Sequence, residues 1–247
     1  MRYLLLVIGI TFFSITARSQ NFDYSFAKDS VAWQELNTQT ILNNNNSAWN
    51  FCYKIPIGFS FNYLGAHFDS LRIETNGYLV FDDDRNFALT AFLDFGDCID
   101  SSGNHAVLGY ELSGSNGNHI LKIQFKNTSN SHQSSKHFTY QIWLKENGAV
   151  EIHAGPNDFQ PGIVVTNILS GSSIVERDTV FVNTDSVQAY RIGLLNMNMD
   201  SQTRGFFIGG NTDSPQSQPV NDNNPEPVYL MRAPVSGTRY TFTPNSN

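Results

Sequence analysis

The chain reads as an all-β protein, an antiparallel β-sandwich that is jelly-roll-like or built of two packed sheets, with negligible helix. Three observations carry that reading. Ile55–Asp82 and His137–Gly155 each hold an alternating apolar run, an Asn-Gly pair and a second alternating run, the pattern of a β-hairpin. Period-two alternation recurs along the chain, whereas only Ser30–Asn37 suits even one helical turn. Aromatic residues reach 13% and charged residues only 15%, a balance suited to pleated surfaces on which aromatic and β-branched side chains pack.

The first 19 residues read as a secretory signal peptide. Arg2 precedes an apolar core from Tyr3 to Ile15, and Ala17-Arg18-Ser19 forms a small-residue site with cleavage before Gln20. That core is shorter than the roughly 20 residues a bilayer span needs. No cysteine lies near the site to carry a lipid anchor. The expected product is extracytoplasmic (secreted, cell-surface or periplasmic) and not membrane-spanning. Residues 20–247 then form a single domain, with a flexible loop at 211–227.

Along that domain the expected strands are Phe22–Ala27, Tyr53–Asn62, Phe68–Thr75, Tyr78–Asp82, Phe87–Phe92, Ala106–Leu112, His119–Asn127, Lys136–Lys145, Ala149–His153, Gly162–Leu169, Ile174–Asn183, Val187–Leu195, Gly205–Gly209 and Thr238–Thr243. Turn residues punctuate them, as in sandwiches and barrels. In the second hairpin a three-residue loop, Glu146-Asn147-Gly148, sets Leu144 opposite Val150 and Ile142 opposite Ile152. A two-residue loop would set Leu144 against Glu151 and mix core with charge. In the first hairpin Thr75-Asn76-Gly77 pairs Ile73 with Leu79 and Leu71 with Phe81 by the same logic. A one-residue slip turns every side chain to the other face, so burial selects the register. Gly77 and Gly148 take the left-handed position that such loops require. Asn43–Asn46 reads as a polar loop. Asn211–Pro227 is long, rich in Pro, Asn, Asp and Ser, and without periodicity, so it reads as a surface loop.

The formal net charge is −7, and −9 once Arg2 and Arg18 leave with the signal. With no Lys/Arg cluster, that balance argues against nucleic acid and anionic membranes as partners. Two cysteines, Cys52 and Cys98, suit one disulfide in an oxidising compartment, the alternative being two buried thiols.

Gly58-Phe59-x-Phe61-x-Tyr63-x-Gly65 leads into Leu71-x-Ile73-x-x-Asn76-Gly77-Tyr78-Leu79-x-Phe81. Ile123-x-Phe125-Lys126-Asn127, the run Tyr140 to Gly148, and Ser236-Gly237-Thr238-x-Tyr240-x-Phe242-x-Pro244 follow. Together they resemble a β-sandwich domain found at the N-terminal side of many secreted surface proteins of the Bacteroidetes. The resemblance spans roughly Pro56 to Pro244. It implies an exported surface domain and no catalytic residue. In proteins of that kind, fibronectin-like modules or a C-terminal secretion tail often follow the domain; the residues after Pro244 read as neither, so a domain without that tail is the expectation. Asp29-Ser30-Val31, Asp69-Ser70-Leu71, Asp178-Thr179-Val180 and Asp185-Ser186-Val187 look like the O-glycosylation tripeptides of that phylum. They also suit polar turns before strands.

No zinc spacing joins the six histidines, and no Cys-x-x-Cys or Gly-x-Ser-x-Gly occurs. Calcium takes carboxylate and carbonyl oxygens from acidic loops, which makes Asp82, Asp84, Asp94 and Asp97 the candidate ligands. The alternative is a solvated acidic turn. The core claims Tyr140, Ile142, Leu144, Val150 and Ile152. Gln141, Trp143, Glu151 and His153 then share the opposite face, a mixture suited to a sugar or peptide ligand unless a strand or loop covers it. The expected function is that of an exported, non-catalytic binding or adhesion domain for a glycan or cell-envelope partner. The alternatives are a structural component of an envelope assembly, or a polysaccharide hydrolase using acidic-loop carboxylates.

Overall fold

The computed structural model describes residues 24–43, 52–75, 77–92, 106–130, 133–158, 192–196, 204–220, 230 and 232–245. These residues form strands, turns and bends, with no helix among them. In chain order the strands are β1 (Tyr24–Ser30), β2 (Thr40–Ile41), β3 (Cys52–Tyr63), β4 (Ala66–Glu74), β5 (Tyr78–Val80), β6 (Phe87–Ala91) and β7 (Val107–Ser113). Then come β8 (Ile120–Asn130), β9 (Gln133–Lys145), β10 (Val150–Asn157), β11 (Ile192–Asn196), β12 (Arg204–Gly209), β13 (Gln216–Val220) and β14 (Thr238–Pro244). They build two seven-stranded antiparallel sheets. One is ordered β1-β14-β10-β9-β8-β7-β2 and the other β13-β12-β11-β6-β5-β4-β3. The all-β sandwich expected from the alternation is the fold.

Both hairpins take the register that burial selects. Leu144 faces Val150, Ile142 faces Ile152, and Ile73 faces Leu79. Gly77 and Gly148 hold φ of 91° and 85°, the left-handed conformation that costs a side-chain-bearing residue most. The alternating residues of both sheets meet in one core, in which Ile57, Phe61, Ile73, Ile123, Ile142, Ile152 and Leu194 are fully buried. Aromatic rings pin its centre: Phe125 stacks on Tyr140 at 4.6 Å between centroids, and Phe92 meets Phe138 edge-on at 4.6 Å.

Three expectations are corrected. The stretch 211–227 is not all loop, because Gln216–Val220 is β13, hydrogen-bonded to β12 from Gly205↔Val220 to Gly209↔Gln216. Its polar sequence hid it: an edge strand pairs through its backbone, and Pro219 is tolerated at an edge. Asn43 is a buried anchor rather than loop. Its side chain donates to Ala106 O at 2.5 Å and accepts from Leu108 N at 2.8 Å, in line with β2.

The third correction is Ser30–Asn37, which forms no helical turn. β1 and β2 lie at opposite edges of one sheet, so residues 31–39 must cross its whole outer face. Six inter-strand steps span about 29 Å, so the ten steps from Ser30 to Thr40 must each advance about 2.9 Å, close to the roughly 3.3 Å of an extended chain. A helix rising about 1.5 Å per residue would fall far short. The crossing strap is fastened along its length. Val31 N donates to Gly237 O at 2.8 Å, Gln34 O accepts from Gln141 Nε2 at 2.9 Å, and Leu36 N donates to Gln124 Oε1 at 3.1 Å. Glu35 pairs with Lys126, and Thr38 Oγ1 donates to Glu111 Oε2 at 2.6 Å.

Two glycines let the strap lie close. A Cβ on Gly109 would come within 2.4 Å of Gln39 Oε1, and one on Gly155 within 2.8 Å of the Trp33 ring and of Thr139 O. Gly155→Ala is therefore expected to cost about 1–3 kcal/mol through overpacking. The Trp33 side of the strap should loosen, seen as faster amide exchange at Gln34 and Leu36. Unchanged exchange at those amides would show that Trp33 does not fasten the strap.

Candidate binding face

The face beneath the strap is set by cross-strand pairing. One row runs Arg239 (β14), His153 (β10), Gln141 (β9), Gln124 (β8) and Gly109 (β7). The next runs Thr241, Glu151, Trp143, Lys122 and Glu111 across the same strands. The four residues expected to share a face, Gln141, Trp143, Glu151 and His153, are thus neighbours.

Of the two arrangements the sequence leaves open, an accessible patch or a covered one, the structure takes the covered one for most of the face. Gln141 is 1% exposed, Glu151 3% and His153 6%, while Trp143 is half-buried. The cover is the strap at 31–39, bonded to Gln141 and Gln124 through Gln34 and Leu36. Beneath it the polar groups satisfy one another, as buried polar groups must. Gln141 Nε2 donates to Gln124 Oε1 at 2.7 Å, and Trp143 Nε1 donates to Gln141 Oε1 at 2.8 Å. Trp143 stacks on His153 with centroids 4.1 Å apart, and Lys122 Nζ lies 4.9 Å from the Trp143 ring centroid. Its faces are engaged within the protein, which leaves less of the ring for a ligand than a bare surface tryptophan offers.

Glu151 is the electrostatic centre. Its Oε1 accepts from Lys145 Nζ at 2.5 Å and lies 3.6 Å from Arg239 Nη1, and its Oε2 is 3.0 Å from His153 Nε2. Burial alone would raise its pKa. The hydrogen bonds from His153 and Lys145, with the charges of both, outweigh burial and hold it down at about 2. Arg239 also grips Asp29 of β1 through Nε at 2.8 Å and Nη2 at 2.5 Å, and that bond keeps the Asp29 carboxyl below its ordinary pKa.

Sequence reasoning missed Lys122, Gln124, Lys145 and Arg239. The first two alternate with Leu121, Ile123 and Phe125, so the strand pattern already turned them away from the core. What paired them with Trp143 and Gln141 is register across three strands, which one sequence does not reveal.

The acidic turn is held by the protein's own groups. Asp82 Oδ1 accepts from Phe87 N at 3.0 Å, and Arg72 Nη2 donates to the carbonyls of Asp82 and Asp83 at 3.1 and 3.3 Å. Arg72 thereby takes oxygens that a cation would need. Asp84 is exposed, and Asp94 and Asp97 lie outside the described residues. Among the described residues no group of three or more His, Cys, Asp or Glu is placed to hold a metal ion. Cys52 is exposed at the start of β3, and its expected partner Cys98 lies outside the described residues. No helix among the described residues is long and apolar enough to cross a membrane.

No curated protein and no solved structure matches the chain. The NIDO-related family model matches residues 23–244, from just before β1 to the end of β14. The two seven-stranded sheets and the strap all lie inside that match. The chain therefore belongs to the NIDO-related family, whose domains are extracellular.

Proposed function

We propose that this domain is an exported, non-catalytic binding or adhesion module that contacts a glycan or a cell-envelope partner. Its family supports the extracellular setting. The observation that carries the binding reading is the row Thr241, Glu151, Trp143, Lys122 and Glu111, which the strap only partly covers. Trp143, Lys122 and Glu111 are half-buried there, so an aromatic edge, a cation and a carboxylate reach solvent side by side. Gln141, Glu151 and His153 act from beneath, fixing the Trp143 ring rather than touching the partner. An aromatic side chain held rigid gives contact area at little cost in entropy.

Trp143→Ala, Lys122→Ala and Glu111→Ala test this on a glycan array and in a pull-down from the cell envelope. Trp143→Ala should weaken binding at least tenfold and cost about 1–3 kcal/mol of stability, because the His153 stack and the Gln141 bond go with it. Lys122→Ala and Glu111→Ala should weaken binding with stability nearly unchanged, as expected of partly exposed pairs. Binding unaltered in all three would exclude this row as the contact surface.

A further inference from the structure

The same dipeptide, Asn-Gly, stands at three hairpin turns: Asn76-Gly77, Asn116-Gly117 and Asn147-Gly148. Asparagine is a labile residue, because the backbone nitrogen of the next residue can attack its side-chain carbonyl carbon. Glycine in that next position has no Cβ to obstruct the approach. Within a folded chain the attack also needs an asparagine side chain free to turn and a glycine nitrogen not already bonded to a carbonyl. Asn76 lies outside the described residues, and the other two sites are held in opposite ways.

At the β9–β10 turn the reacting atoms are tied down. Asn147 Oδ1 accepts from Ala149 N at 3.1 Å, which fixes the side chain. Gly148 N donates to Lys145 O at 2.8 Å, so the nucleophile is engaged. Gly148 is buried, and a Cβ there would stand 3.2 Å from both Asn62 O and Pro244 Cγ. The Tyr24 hydroxyl donates to Gly148 O at 3.4 Å and holds the peptide from the other side.

At the β7–β8 turn none of these restraints is present. The turn runs from Ser115 to Asn118 and is closed by Asn118 N donating to Ser115 O at 2.7 Å. Asn116 and Gly117 are its two central residues, and both are exposed. Gly117 alone of the two has a positive φ, 82°, the type II arrangement. A Cβ on Gly117 would meet nothing within 4 Å. The Asn116 side chain bonds to no other described residue, and Gly117 N donates to no backbone carbonyl among them. The Glu146 carboxylate, which accepts from His119 N at 2.9 Å, faces the Gly117 amide and can take the proton it gives up.

We propose that Asn116 is a self-modification site, converting spontaneously to aspartate and isoaspartate, while the fold protects Asn147. The Gly117 nitrogen bonds to Asn116 Cγ as the Cγ–Nδ2 bond breaks. The amide proton passes to the leaving nitrogen, which departs as ammonia and leaves a succinimide ring. Water then adds to either ring carbonyl and opens the ring to the aspartyl or the isoaspartyl form, with no change of oxidation state. Either product adds one negative charge at neutral pH. The isoaspartyl form also carries an extra backbone carbon through the turn. That breaks the Ser115–Asn118 closure next to the last β7–β8 pair, Ser113↔Ile120.

The test is to hold the purified protein at 37 °C and pH 8, folded and in denaturant, and to follow both sites by peptide mapping with isoaspartate detection. In the folded protein Asn116 should convert at least tenfold faster than Asn147. In denaturant the two should convert at similar rates, since only the fold distinguishes them. Gly117→Ala should slow conversion of Asn116 several-fold, and the exposed turn has room for the added methyl group. Equal rates at the two sites in the folded protein, or faster conversion at Asn147, would overturn the proposal. So would an Asn116 that stays intact when folded while the denatured chain converts. Conversion of Asn116 as fast in Gly117→Ala as in wild type would overturn attack by the Gly117 nitrogen.

Discussion

Glu151→Ala is expected to destabilise the domain by about 3–5 kcal/mol, the usual cost of removing one partner from a buried charge cluster. The loss exceeds that of the side chain itself. Lys145, His153 and Arg239 all converge on this carboxylate, and the strap limits the water that might replace it. Glu151→Gln keeps the shape and removes only the charge, so it isolates the electrostatic part. That part depends on pH. The folded-state pKa, about 2, lies below the ordinary 4.5, so the stabilisation is present in full above about pH 5.5 and is lost as pH falls toward 2. A depression of that size corresponds to about 3 kcal/mol. Denaturant unfolding of wild type and Glu151→Gln at pH 7, 5 and 3 should show two curves that converge in acid. Curves that stay parallel would mean that the carboxylate is not held by its neighbours in the way the distances indicate.

Tyr63→Ala should be the most damaging single change in the second sheet, at about 4–6 kcal/mol, from a ring-sized cavity plus lost hydrogen bonds. Tyr63 is fully buried and stacks on Phe81 with centroids 4.3 Å apart. Its hydroxyl donates to Ala88 O at 2.7 Å and accepts from Leu195 N at 3.1 Å. Ala88 and Leu195 oppose each other on β6 and β11, so one hydroxyl ties β3 to both. Burial accordingly pushes the phenol pKa well up. Tyr63→Phe separates the two contributions. It retains the stack and strands one amide and one carbonyl, for about 1–3 kcal/mol. A domain typically has only about 5–15 kcal/mol in all, so the alanine variant should be partly unfolded at 37 °C while the phenylalanine variant folds. If the two variants unfold at the same denaturant concentration, the hydroxyl rather than the ring dominates at this position.

What was legible in the sequence followed from short-range pattern. Alternation in Tyr140–Leu144 and Val150–Ala154 fixed which side of the sheet each residue takes, Asn-Gly marked the turn, and keeping Glu151 out of the apolar row set its loop at three residues. The grouping of Gln141, Trp143, Glu151 and His153 came from the same two facts. The cover over them was not legible. Val31–Gln39 carries Trp33 and Leu36 among polar residues with neither helical nor strand period, and its extended path is dictated by where β1 and β2 sit. Those positions depend on pairings such as Ser30↔Thr238 and Thr40↔Tyr110, which join distant parts of the chain. β13 was hidden for a related reason, since its polar side chains contribute little and its backbone pairing contributes most. That β1 lies opposite the turn before β13 is likewise a meeting of two edges that no local signal announces.

The antiparallel pairing of the outermost strands also sets how the module bears tension. Tyr24 lies beside Pro244, so the outer ends of β1 and β14 leave the sheet at the same point. A pull that separates those ends opens the ladder like a zipper, one pair at a time, instead of shearing all seven pairs together. Opening would run inward from Tyr24↔Pro244 until it meets Asp29 clasped by Arg239, and then Val31 bonded to Gly237. Those two contacts form a mechanical stop, beyond which further extension must strip the strap from the sheet. Yielding in two steps, first the soft ladder and then the clasp, would let the domain lengthen under modest tension while its core stays folded.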